Sequence, residues 1–364
     1  MKKTILLVVA ILLCSMKMMA EGLTATLQQG ETMTAFYGVN AFVDAYNAAE
    51  DGAVITLSEG QFNDVSSIEK SITVVGNMAF DVDGYEKTYL SNSTVNADNV
   101  TLEGIYFTGN VALGNINNCH IKRCRIGNTL GYVSNTVHTN TLIDQCVINI
   151  ENAMSTSKDY CIKNCTVNYF SSTNPSTNIA YIANCYICYL CHIRSSYYST
   201  YNEYSVPYAI YKNNVFGIDC SYFNSQSLAL SSPREFWYNY FYRITDSNGY
   251  TIYYVTESYN TGCINQGNQN SGDKSVYISS SDNFNGKYKI DSFGMFGDDG
   301  TPIGITGGSG FSPYPSIPRI TSKQIDSKTD SEGKLNVKIT VSTEETLVKE
   351  EKPEEGTGED TTGE

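Results

Sequence analysis

Six short segments carry the reactive side chains whose spacing is regular. Cys124, Cys146, Cys165 and Cys185 each sit between two aliphatic residues, as in Ile182-Ala-Asn-Cys185-Tyr-Ile187, and Asn214 and Asn239 hold the same central place in "YKNNVF" and "FWYNYF". Such a file of thiols has three fates: disulfides, a metal site or packing. At one position of stacked parallel strands, neighbouring Cα atoms stand ~4.8 Å apart, which a disulfide allows. Their Cβ vectors point the same way, however, and deny the near-perpendicular torsion that the bond needs. A straight file also offers no tetrahedral closure for zinc. The expectation is reduced, buried thiols acting as small hydrophobes, with disulfides and a metal as the alternatives. Cys188 and Cys191 form one isolated C-x-x-C, and Cys119, Cys161, Cys220 and Cys263 have no assigned partner. A lone C-x-x-C is a weak zinc or redox signal.

The remaining candidates do not converge. Asp144, Asp219 and Asp246 are scattered, and His120, His138 and His192 are the only histidines. No Ser-His-Asp set and no paired carboxylates for glycoside hydrolysis can be drawn from them. One place after the first residue of each segment, and two before each centre, the residues run Lys122, Asp144, Lys163, Ala183, Lys212, Trp237. That file is expected to face solvent as a ladder of charges, each pair contributing little stability. No catalytic residue and no metal ligand is assigned.

These residues have to be positioned by a repeat. The central positions 124, 146, 165, 185, 214 and 239 are separated by 22, 19, 20, 29 and 25 residues, and an earlier relative, Leu102–Phe107, precedes Cys124 by one more step. A period near twenty with short β-type runs is the mark of stacked coils, in which each coil buries its apolar face on the next. Within a segment the flanking aliphatics lie five residues apart, so both can point inward only if the strand bends between them. Asn164, Asn184 and Asn213 stand just before the centre, and asparagine tolerates the left-handed conformation that such a corner requires.

The repeat resembles that of right-handed parallel β-helix proteins of the pectin-lyase-like superfamily, whose coils read aliphatic-x-Asn-Asn-x-aliphatic, as "YKNNVF" does. The entry segment is similar too: Asn40 is expected to cap a short helix bearing Phe42, Ala45, Tyr46 and Ala49, followed by a strand at Val54–Leu57. The resemblance spans residues 36–265. It implies an all-β fold, a right-handed parallel β-helix (solenoid) with an N-terminal capping helix and a small C-terminal β/loop cap. It also admits polysaccharide lyases, which pair a base with a cation that neutralises a uronate. Lys163, Arg194 and Lys212 could supply that, yet no spacing forces them together. If the protein is an enzyme, a lyase is favoured over a hydrolase.

The expected divisions are a signal peptide at 1–20, an N-terminal cap at 21–52, the β-helix at 53–270, a capping β region at 271–343 and an acidic tail at 344–364. Two lysines before the apolar run Ile5–Leu13, and Ala20 at a cleavage point, imply export. A lipoprotein reading of Cys14 ranks second because Leu13 stands where a small residue belongs. The location is extracytoplasmic, secreted or at the cell surface, with no membrane span beyond the leader. The net charge is −14, with nine acids and two bases in the tail, and no basic stripe suits nucleic acid. "DDGTPIGITGG" resembles segments that end such domains, and is expected to cover the last coil. Asp298 and Asp299 are the one place for Ca²⁺, but a cation that wants six to eight oxygens is poorly served by one Asp-Asp-Gly; no cofactor is assigned.

The strongest positive feature is aromatic. The longest gap between centres, 185 to 214, must bulge a loop, and it holds Tyr197, Tyr198, Tyr201 and Tyr204. Trp237 and Tyr238 follow in "FWYNYFYRI". Flat rings with a polar edge suit sugars, although the same rings could simply cover coil edges. The functional expectation is a monomer that contacts a glycan or another surface without identifiable catalytic residues; the alternative is a lyase or glycoside hydrolase acting on an acidic polysaccharide.

Overall fold

The computed structural model of the chain describes residues 22–82, 84–133, 136–150, 160–171, 180–187, 190–191, 209–216, 235–241, 244–245, 251–252, 264–266, 269–270, 296–316, 319–329 and 335–342. Short strands stack in parallel into a β-solenoid of the right-handed type. One sheet of twelve strands runs from Thr32–Tyr37 through Thr24–Gln29, Val54–Leu57 and Thr73–Val75 to Ile264–Gln266. A second sheet carries the other half of each coil, from Gly60–Gln61 to Gln269–Asn270.

Parity and register explain why this sequence coils. In the first sheet Val74, Leu102, Ile121, Ile143, Ile162, Ile182 and Tyr211 are register partners in succession. All seven are buried. In the second sheet Phe107 pairs with Ile126, and Ile148 with Val167 and then Ile187. Each fully buried aliphatic contributes about 1.5–3 kcal/mol. Between the two inward files the chain turns through one left-handed residue: φ is 48° at Asn164, 55° at Asn184 and 54° at Asn213. The same corner is taken by Arg123, Gln145 and Tyr238, at 51°, 55° and 53°. Those three side chains have no local preference for that conformation, so the register imposes it.

Inside the corner runs a ladder that thiols and amides share. The Cys124 N–H donates to Cys146 Sγ at 3.4 Å, Cys146 N–H to Cys165 Sγ at 3.2 Å, and Cys165 N–H to Cys185 Sγ at 3.5 Å. Above them the Cys185 N–H donates to Asn214 Oδ1, and the Asn214 N–H to Asn239 Oδ1, both at 2.9 Å. Each centre also donates back to a carbonyl of the preceding coil, Cys146 Sγ to Ile121 at 3.4 Å and Asn214 Nδ2 to Ile182 at 2.8 Å. Cys119, Cys124, Cys146, Cys161, Cys165 and Cys185 are free thiols. Burial pushes the Cys124 and Cys165 thiols well above their ordinary range, and Cys119 up to about 12. Cys124 and Cys165 are thus neutral groups that hydrogen-bond through sulfur, and poor nucleophiles.

Helix α1 (Ala41–Ala48) buries Ala41, Phe42, Ala45 and Tyr46. Asn40 does not cap it through its side chain. Its Oδ1 instead accepts from Asn63 Nδ2 at 2.6 Å, a partner 23 residues away. Thr24–Gln29 pairs antiparallel with both Thr32–Tyr37 and Val54–Leu57. The chain divides into units at 1–313 and 314–364. Within the second, Arg319–Thr329 and Leu335–Ser342 form an antiparallel two-stranded sheet.

The segment 296–313 departs from expectation. Its described contacts run along the side of the stack, over the left-handed corner. Asn164 Nδ2 donates to the carbonyls of Ile305 at 3.0 Å and Gly307 at 2.6 Å, and the Ser312 N–H donates to Gln145 Oε1 at 3.0 Å. Further back, Phe311 meets Phe80 edge-on with centroids 5.3 Å apart. Outward corner amides have buried polar atoms to satisfy, and this strap supplies partners that lie 141–167 residues away in sequence.

Candidate functional site

The outward surface of the first sheet collects the charged residues that the repeat spaces apart. Register partners place Glu103, Lys122, Asp144, Lys163, Ala183, Lys212 and Trp237 in one file. Glu103 leaves this file electrostatically: it is buried and ion-paired with Arg123 at 2.9 Å, while Arg123 Nε donates to Gln145 Oε1 at 3.0 Å. Lys163 is exposed, and Lys122, Lys212 and Trp237 are half-buried. Lys212 Nζ meets Asp298 Oδ2 of the strap at 2.7 Å. That contact raises the Lys212 ammonium and lowers the Asp298 carboxyl.

Asp144 lies between Lys122 and Lys163, one coil from each. Its Oδ1 is buried without a hydrogen-bond partner. Burial pushes its carboxyl up, against the pull of Lys122, Arg123 and Lys163. His120, on the parallel outward file, has its Nε2 buried without a partner, and burial holds its imidazole below the ordinary range. Among the described residues no three His, Cys, Asp or Glu side chains are grouped to hold a metal. Asp298 accepts from Lys212 and Asn213, and Asp299 from Thr301.

Of the aromatic candidates, Tyr197, Tyr198, Tyr201 and Tyr204 lie outside the described residues, as do His192, Arg194, Asp219, Asp246, Cys188, Cys220 and Cys263. Trp237 follows Lys212 in the file, which continues to Gln266, whereas Tyr238 takes the corner one residue on and belongs to no strand. Sequence reading missed a second aromatic group. On the second sheet, register sets Gln61, Tyr89, Tyr106 and Arg125 in file. The Tyr89 and Tyr106 rings are 5.4 Å apart, with Arg125 Cζ 4.8 Å from the Tyr106 centroid. The excursion at 76–87 brings Lys87 over both rings and joins it to Asp81. The position one after each repeat centre, read down the coils, would have revealed Tyr106 and Arg125.

A polar group also lies inside the solenoid. The Tyr132 hydroxyl donates to the Tyr160 hydroxyl oxygen at 2.6 Å, and the Tyr132 ring stands edge-on to His138 with centroids 4.5 Å apart. His138 is 1% exposed and its Nδ1 has no partner. Burial pushes the imidazole down to about 4, partly offset by a bond to the Gly114 backbone. The unfolded chain therefore takes up a proton near pH 6.5 that the folded chain refuses until about pH 4. Stability contributed by the neutral ring is intact above pH 6.5 and falls as pH drops toward 4, by roughly 3 kcal/mol at most. Urea midpoints at pH 7 and pH 4.5 should show this loss, and His138→Phe should flatten it.

Among the described residues no helix is long and apolar enough to cross a membrane. The chain matches no protein-family model, no curated protein and no solved structure.

Proposed function

We propose that this protein is an extracytoplasmic β-helix of the pectin-lyase-like type that holds a linear acidic glycan along the outward surface of its first sheet, without catalysing its cleavage. One observation carries the reading. In a chain of net charge −14, the register files Lys122, Lys163 and Lys212 on alternate coils, with Trp237 one coil beyond Lys212. Alternate coils put successive ammonium groups ~10 Å apart, a track for a polymer whose anions recur at about that distance. Trp237 adds an apolar face for a sugar ring. The apolar leader fits a partner met outside the cytoplasm. In the same reading, α1 and the antiparallel strands at 24–37 close one end of the stack, so that it stays monomeric.

The test is binding of a panel of acidic polysaccharides, homopolymeric and alternating, at fixed low ionic strength. The K122A/K163A double variant should weaken the best binder about tenfold, since each exposed charge contact is worth up to about 1 kcal/mol, while its thermal unfolding stays unchanged. Equal binding by the variant and the parent would refute the track.

A catalytic reading has one observation in its favour, the half-buried Asp144 carboxyl raised by burial between two lysines. Such a group suits proton transfer to or from a sugar. It predicts new reducing ends or unsaturated-sugar absorbance from an acidic polysaccharide, with or without Ca²⁺, and loss of both in Asp144→Asn. No turnover by the parent protein on the panel would end it.

A further inference from the structure

The strap and the lysine file meet at one charged contact, and that contact is of the kind the proposed ligand would make. Asp298 places Oδ2 2.7 Å from Lys212 Nζ and Oδ1 3.3 Å from Asn213 Nδ2. A carboxylate therefore already sits on the third lysine of the track. The rest of the strap follows the corner amides as an extended ligand would: the Gly304 N–H donates to the Asn213 carbonyl at 2.8 Å, and Asn164 holds two of its carbonyls and the Ser309 hydroxyl. The fit is incomplete. Asn184 Nδ2, Asn213 Oδ1 and Thr306 Oγ1 are buried at this seam without partners. Unsatisfied buried polar atoms favour a state that gives them water or another partner.

We infer that the strap is a built-in competitor, in which Asp298 occupies on Lys212 and Asn213 the place that an anionic group of the bound polymer takes. The inference rests on the lysine track being the glycan site. Binding would lift the acidic end of the strap, and the cost of lifting it would set the affinity. The directions of the two charges agree with the contact: Lys212 is held more basic and Asp298 more acidic than usual.

The experiment uses dextran sulfate as the probe, neutral dextran as the control and the full chain at constant ionic strength. Asp298→Asn should bind the probe about three- to fivefold more tightly, the range expected when an exposed ion pair no longer competes. Thr301→Val provides a second variant away from the lysines. Its hydroxyl bonds Asp299 at 2.8 Å and accepts from the Gly308 N–H at 2.7 Å, so its loss should loosen the strap and also tighten binding. In the parent, the probe should speed hydrogen exchange at the Gly304 and Ser312 amides. Unchanged or weaker binding by both variants, with exchange at those amides unaltered, would overturn the competitor while leaving the track intact, provided K122A/K163A still lowers binding. If K122A/K163A binds as well as the parent, or nothing binds, the track fails and the competitor with it.

Discussion

Arg123→Met is expected to lower stability by about 3–5 kcal/mol, the range for removing one partner of a buried ion pair. Arg123 and Glu103 are 6% and 8% exposed at their side chains, and the guanidinium also holds Gln145, which in turn accepts from the strap at Ser312. Removing the cation leaves a carboxylate facing a low-dielectric seam. The double variant Glu103→Leu/Arg123→Met should recover most of the loss, because the desolvation penalty of both charges goes with the pair. Chemical denaturation of the two variants and the Glu103→Leu single completes the cycle. An additive double variant would mean that the two groups do not interact.

Asn214→Ala should cost about 3–5 kcal/mol. The amide accepts from Cys185 N–H and donates to the Ile182 carbonyl and to Asn239 Oδ1 at 3.0 Å, within a fully buried interior. Two backbone groups then lose their partner, at about 1–3 kcal/mol each, and a small void is added. Asn214→Cys should lose distinctly less. A thiol holds that position in four other coils, where it accepts and donates along the same two directions. Equal losses for alanine and cysteine would show that the thiols only fill space.

The parts of this architecture that were legible in sequence are those fixed by local chemistry. Ile121, Ile143, Ile162 and Ile182 betray the inward file because side-chain direction alternates, and Asn164, Asn184 and Asn213 betray the corner because their backbones tolerate positive φ. Arg123, Gln145 and Tyr238 make the same corner with no such preference, since neighbouring coils dictate it. The charged file from Lys122 to Trp237 was legible because it repeats. The strap was not, as its partners are set by a tertiary path rather than any motif; the Gly-rich run at 300–310 reads equally well as an end cap. Asn40 has the residue type of a helix cap, yet its side chain is taken by Asn63. Tyr89 was obscured by the excursion at 76–87, which breaks the period just before it, whereas Tyr106 shows only when the place after each centre is read down the coils.

Everything proposed for the lysine track follows from one register. Nitroxides introduced through ketone-bearing residues in place of Lys122 paired with Lys212, and of Lys122 paired with Trp237, measure it by pulsed electron resonance. Backbone separations of about 19 Å and about 24 Å are expected, four and five steps of ~4.8 Å. Distances that do not grow with the number of intervening coils would contradict the stacked file and remove the site built on it.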